Sequence, residues 1–182
     1  MSVGGAYKTS AAGTVYYVNE GCAKHVFTSA DVFFTYFDSW NVVQIVSAAT
    51  LSSVPDAAEP FPFGPRYAAK EGALVKTPAN PKVYVILNNV KRWIISPPVF
   101  DALQYSWKWI EDVTEAALDK FIEGDSISIS PPRPDGTLIR YSGSKQMYML
   151  SPDPNNAEQQ VKRLIRDTKK LKQDGYRLDR TI

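Results

Sequence analysis

"KVYVILNNVKRWI", residues 82–94, carries two apolar runs on either side of Asn88 and Asn89. Asparagine tolerates the left-handed backbone that a two-residue turn demands, so the stretch predicts a β-hairpin. A related phrase, "TVYYVNEGCAKHVF", stands at residues 14–27, and a third, "KQMYMLSPDPNNAEQQVKRLI", at residues 145–165. Self-similarity at a fixed period changes how every other segment is read.

Laid upon itself, the chain matches residues 7–18 to 75–86 and, after a one-residue adjustment at the turn, residues 24–54 to 91–121. Coincidences fall at Lys24 and Lys91, Phe33 and Phe100, Ser39-Trp40 and Ser106-Trp107, Val46 and Val113, and Leu51 and Leu118. "GALVK" at 72–76 returns as "GTLIR" at 136–140. A period of roughly 64 to 68 residues is long for a solenoid and suits a small α+β module. In the second copy, residues 73–76, 83–87 and 90–95 read as strands, β-branched and bounded by Pro, Gly and Asn. "SPPVFDALQ" reads as a short helix capped by Ser96, and "TEAALDKF" as another capped by Thr114.

The predicted fold is therefore α+β: tandem antiparallel β-meanders, each covered by two short helices on one face of its sheet. Module boundaries fall at 1–71, 72–134 and 135–182. Pro- and acid-rich stretches at 55–70 and 123–134 read as linkers. The third copy is shortened, with the turn replaced by a long loop, "PDPNNAEQQ", and nothing after "DGYRLDRTI" to match "TEAALDKF". Part of its apolar surface is expected to lie uncovered.

Composition narrows the function. Hydrophobic residues make up 44% of the 182 residues, enough for packed cores. There is no apolar run long enough for a membrane span, and the N-terminus lacks a secretory signal, implying a chain that is not Sec-exported or one already processed. A single cysteine rules out an intrachain disulfide framework and a multi-cysteine zinc site, and a single histidine removes most metal chemistry and leaves no serine–histidine–aspartate set. His25 aligns with Arg92 and Arg163, which marks a solvent- or anion-facing strand position. Cys22 falls in the hairpin turn with no basic partner to activate it. No cofactor motif is present, and the reading is non-enzymatic.

Three recurring sets remain as a candidate ligand or assembly surface. Trp40, Trp107 and Tyr176 occupy one aromatic slot; Tyr16 or Tyr17, Tyr84 and Tyr148 occupy another. Such rings stack on sugars or fill small cores, and a module this small has need of large core residues, so both slots read first as core. The basic pairs Lys24-His25, Lys91-Arg92 and Lys162-Arg163 place one exposed charge per unit, either guarding a strand edge or binding an anionic polymer. Asp153, Asn155, Asn156 and Glu158 in the long loop offer oxygen ligands without the spacing of a calcium loop. The basic end, with eight Lys/Arg against three Asp over residues 161–182, reads as a solvated helix face rather than a nucleic-acid site.

The pattern formed by residues 72–76, Tyr84, residues 91–93, Phe100, Ser106-Trp107 and Leu118, with their counterparts, resembles tandem repeat modules of bacterial secreted and cell-surface proteins. That resemblance implies an extracellular or cell-surface setting; a cytoplasmic or virion setting is the alternative. The expected function is a structural repeat protein that self-assembles head to tail into a homo-oligomer, filament or lattice. The alternatives are a cell-wall or surface-glycan binding module and a virion structural protein.

Overall fold

The computed structural model describes residues 1–58, 61–128 and 133–182. The fold is α+β, with three small sheets and several short helices among the described residues. Contacts divide the chain into two compact units, Met1–Tyr67 with Asp112–Ala117, and Ala68–Glu111 with Leu118–Ile182.

In the first unit, β1 (Ala6–Lys8), β2 (Tyr16–Val18) and β3 (Lys24–Val26) form an antiparallel meander. Helix α1 (Ala30–Phe34) follows, capped by the Ser29 hydroxyl, which accepts from the Val32 amide. The two-residue strand β4 (Gln44–Ile45) then pairs parallel to β1, and Ser47 caps α2 (Ala48–Ser52). The sheet order is β3-β2-β1-β4.

The first two residues of β1 are buried, and they serve different clusters. Ala6 packs with Val15 and Phe33 of α1, whereas Tyr7 packs with Val18 and Leu51 of α2. Neighbouring strand residues point to opposite faces, so the two helices cover opposite faces of the sheet, not one face as expected. Continuous apolar runs such as "VYVIL" carry that signal, because a half-buried strand would alternate.

In the second unit, β5 (Leu74–Thr77), β6 (Asn80–Leu87) and β7 (Val90–Trp93) repeat the meander, with α3 (Pro97–Ala102) after Ser96. Asn88 and Asn89 take φ of 55° and 59°, the left-handed turn expected of them. The short strands β8 (Ile110–Asp112) and β9 (Ile122–Glu123) complete the order β8-β5-β6-β7-β9; between them lies helix α4 (Glu115–Leu118), of which Glu115–Ala117 belong to the first unit. The expectation of a purely antiparallel sheet fails here also, since β9 pairs parallel to β7. A helical crossover allows a strand to return parallel, and two- or three-residue edge strands leave no alternation to read.

The third sheet, β10 (Leu138–Arg140), β11 (Met147–Asp153) and β12 (Asn156–Leu164), belongs to the second unit. "PDPNNAEQQ" is not a loop. Its residues extend both strands past Ser151 paired with Val161, and the chain turns tightly at Pro154 and Asn155. The register shifts at Pro152 and Asp153, as expected where proline lacks an amide to donate. Helix α5 (Thr168–Gln173) is capped by Asp167, and Ile182 exchanges backbone bonds with Leu138 and Arg140 of β10. Leu138 and Met147 are buried, while Leu164 and Tyr141 are exposed.

One bond recurs in all three sheets. Gly4, Gly72 and Gly136 have φ of 77°, 84° and 89° and donate their amides to Val18, Ile86 and Leu150 respectively. Only glycine adopts this backbone without strain. The linker readings at 55–70 and 123–134 include residues 59–60 and 129–132, which lie outside the described residues. The remainder of 55–70 is not idle spacer: Phe61 stacks on Tyr36 at 4.7 Å and on His25 at 4.8 Å.

Candidate functional site

Phe33 and Phe100 are buried at the centres of their clusters, and each carries a tryptophan flat against it. Trp40 stacks on Phe33 at 3.8 Å and Trp107 on Phe100 at 4.1 Å. A 3-10 turn opened by Ser39 or Ser106 presents each indole, and the Ser39 hydroxyl accepts from the Asn41 amide. The Trp107 indole N–H donates to Asp101 at 3.0 Å, which fixes the ring. With one face on phenylalanine, the two tryptophans remain 46% and 50% exposed. The aromatic slot expected to be core is instead a lid over the core with one face presented to solvent.

Each tryptophan borders a groove. The first, of about 750 Å³, is walled by residues 13–15 and 26–30 with Trp40, Val43, Ile45 and Lys8. The second, of about 400 Å³, is walled by residues 81–83 and 93–97 with Phe100 and Trp107. Part of each wall corresponds in the self-alignment, 13–15 with 81–83, 26–30 with 93–97 and Trp40 with Trp107, whereas Lys8, Val43 and Ile45 line the first groove alone and Phe100 the second alone. Both grooves combine an indole face, aliphatic walls and hydroxyls: Thr14, Thr28 and Ser29 in the first, Ser96 in the second. Flat apolar rings beside a few polar groups suit ligands that are apolar on one side and polar at the edge.

No protein-family model, curated protein or solved structure is significantly similar to this chain. Its chemistry is read from its own geometry.

The other predicted residues are placed differently. Tyr176 is half-buried, in a backbone bridge with Glu71, and lines a cleft of about 10 Å³; burial, then Glu71 and Asp174, raises its phenol pKa. Tyr84 is 8% exposed and belongs to the core, as expected of its slot. Tyr148 is half-buried; its hydroxyl donates to Gln146 at 2.9 Å, and its ring meets Tyr141 edge-on at 5.8 Å.

The basic pairs do not form a row of free charges. Lys91 reaches Asp119 at 3.6 Å and Lys24 reaches Asp56 at 2.9 Å, with both lysine side chains largely covered. Arg92 is half-buried and approaches the Asp125 carbonyl at 3.5 Å. His25 is half-buried rather than solvent-facing, stacked on Phe61 and hydrogen-bonded to Asn19 at 3.0 Å. Lys162 and Arg163 are exposed on β12 yet engaged, Lys162 with the Tyr141 hydroxyl at 2.8 Å and Arg163 with Ser151 at 2.7 Å. The Tyr141 hydrogen bond raises the Lys162 pKa.

Cys22 is an exposed free thiol in the first turn, at φ 56°. Asp153 and Asn156 spend side-chain oxygens on the amides of Asn155 and Glu158. In the basic C-terminal stretch, Arg177 bonds Glu111 and Asp179, and Arg180 lies 5.3 Å over Trp109, so these charges hold the unit together. Among the described residues no group of His, Cys, Asp and Glu is arranged to hold a metal, and no helix is long and apolar enough to cross a membrane. Sequence reading singled out the tryptophans but missed Lys8, Thr14, Lys82, Trp93 and Ser96 around them. The self-alignment offered a signal at 14 with 82 and at 29 with 96, which becomes legible once the strand ends and helix starts are known to converge.

Proposed function

We propose that this protein is a non-catalytic, repeat-built glycan-binding protein of a cell surface, using the exposed faces of Trp40 and Trp107 as sugar platforms. The observation that carries this reading is the recurrence, at matched positions, of a solvent-facing indole braced on a buried phenylalanine beside a groove. A sugar ring presents C–H groups on one face and hydroxyls at its rim; an indole face with hydroxyl-bearing walls complements both. What marks these two tryptophans among the exposed apolar side chains is that each lies flat on a buried phenylalanine and borders a groove. The tandem organisation is part of the proposal, supported by the shared glycine bond, the matched grooves and the recurring Lys–Asp pairs.

Two sites on one chain engage a polymeric ligand with avidity. Retention on insoluble polysaccharides should weaken for Trp40→Ala or Trp107→Ala alone and fall roughly tenfold or more for the double variant. Unchanged retention by a folded double variant, checked by circular dichroism, ends the proposal.

Self-assembly is the second reading, favoured by β12. It is a nine-residue strand at the end of the sheet order β10-β11-β12, with Leu164 exposed. An open edge pairs with another chain, although exposed Lys162 and Arg163 oppose such pairing. Light scattering over a hundredfold concentration range tests it: a strictly constant monomer mass excludes assembly through this edge.

A further inference from the structure

We infer that each groove takes a sugar ring bearing an anionic group, with Lys8 in the first and Lys82 in the second as the counter-charge; this rests on the glycan reading above. Each groove is lined by a single charged residue, a lysine in both, and no carboxylate appears among the described residues lining either. The two lysines are not at equivalent positions. Lys8 ends β1, and its counterpart Lys76 does not line the second groove; Lys82 lies on β6, where the first unit has Thr14. A cation thus recurs in both grooves although its position in the repeat does not. Inheritance of one strand residue does not account for that; a shared demand of the ligand does.

The surroundings suit such a role. Lys82 Nζ is 4.6 Å over the ring of Trp93, which lines the same groove, so the ammonium is held at the rim. Among the described residues neither Lys8 nor Lys82 enters an ion pair, whereas Lys24 and Lys91 are both committed to aspartates. Lys8 is half-buried and Lys82 exposed, so each attracts an anion modestly and in a way that salt screens. The ligand class is an acidic polysaccharide in which a carboxylate or phosphate projects from a ring that can lie on an indole.

Calorimetric titration of the full chain tests this with three probes. Oligomers of galacturonate, glucuronate and mannuronate supply ring and charge; their methyl esters supply the ring without the charge; an oligomer of glycerol phosphate supplies charge without a ring. At least one uronate should bind about fivefold more tightly than its ester, with the advantage shrinking in high salt. Lys8→Met with Lys82→Met should bring acid and ester to equal affinity while leaving ester binding intact, which also shows that the grooves are still folded. Equal affinity of acid and ester for the unaltered protein overturns the anionic inference and leaves the glycan reading standing. Glycerol phosphate binding as tightly as the best uronate overturns it too, because charge alone would suffice. If neither acids nor esters bind, the anionic inference falls, and the glycan reading then stands or falls on the retention of the Trp40 and Trp107 variants by insoluble polysaccharides.

Discussion

The first unit fills its core with rings, and the second fills its core with aliphatic side chains. Around Phe33 stand Phe27 at 5.0 Å and Phe37 at 5.2 Å, while Phe61 stacks on Tyr36 and Tyr17. Around Phe100 stand Leu74, Val83, Val85, Leu87, Ile94 and Val99, with Tyr105 and Trp109 at the margin. The meanders share a plan but differ in strand length. β1, β2 and β3 have three residues each, whereas β6 has eight and buries five in a row. A short strand supplies few inward side chains, so the first unit recruits large rings from outside its sheet, including Phe61 from the stretch read as linker. A long strand supplies its own. The same Trp-on-Phe platform therefore rests on two kinds of support, which bears on how the two grooves respond to perturbation.

Removing the platform's foundation should give the largest effect. Phe33→Ala and Phe100→Ala are each expected to destabilise by roughly 3–5 kcal/mol in denaturant titrations. The comparison sharpens with leucine instead of alanine: Phe33→Leu forfeits several ring–ring contacts and should cost about 1 kcal/mol more than Phe100→Leu. Equal costs would mean that the aromatic cluster adds nothing beyond area.

Phe61→Ala comes next, at roughly 2 kcal/mol, with loss of hydrogen-exchange protection in β2 and β3 and none in β6. Loss of protection in both units would show that they do not behave as separate packing entities.

Burial raises the phenol pKa of Tyr36 in the first unit, with Tyr17 adding to it, and pushes that of Tyr105 in the second to about 12. Tyrosines whose folded pKa lies above the unfolded value near 10 contribute stability that is present below pH 10 and lost as pH rises through the folded value. Ultraviolet titration should find both ionising late, and Tyr105→Phe should flatten the loss for the second unit alone.

The smallest effect is acid-linked and confined to the second unit. The Arg177 hydrogen bond, aided by Arg180, lowers the Asp179 pKa from 3.8 to about 2. Its contribution is present above about pH 4 and lost as pH falls toward 2. Asp179 is more than half exposed, so Asp179→Asn should cost less than about 1 kcal/mol at neutral pH and nothing near pH 2.

Reading the sequence alone was enough for the hairpin turn at Asn88 and Asn89, the meander strands, the helices after Ser96 and Thr114, and the slots in which Trp40 matches Trp107. These are local matters, decided by turn chemistry, capping and β-branched runs within a few residues. Tertiary structure alone decided which face each helix covers, that β4 and β9 run parallel, that Phe61 completes a core, and that "PDPNNAEQQ" continues a hairpin. It also decided that Lys24 and Lys91 turn to aspartates while Lys8 and Lys82 face grooves. The reason is physical: a side chain's partners come from segments far apart in the chain, and the sign of its neighbours, not its own identity, settles whether a charge is spent on an ion pair or left facing a groove.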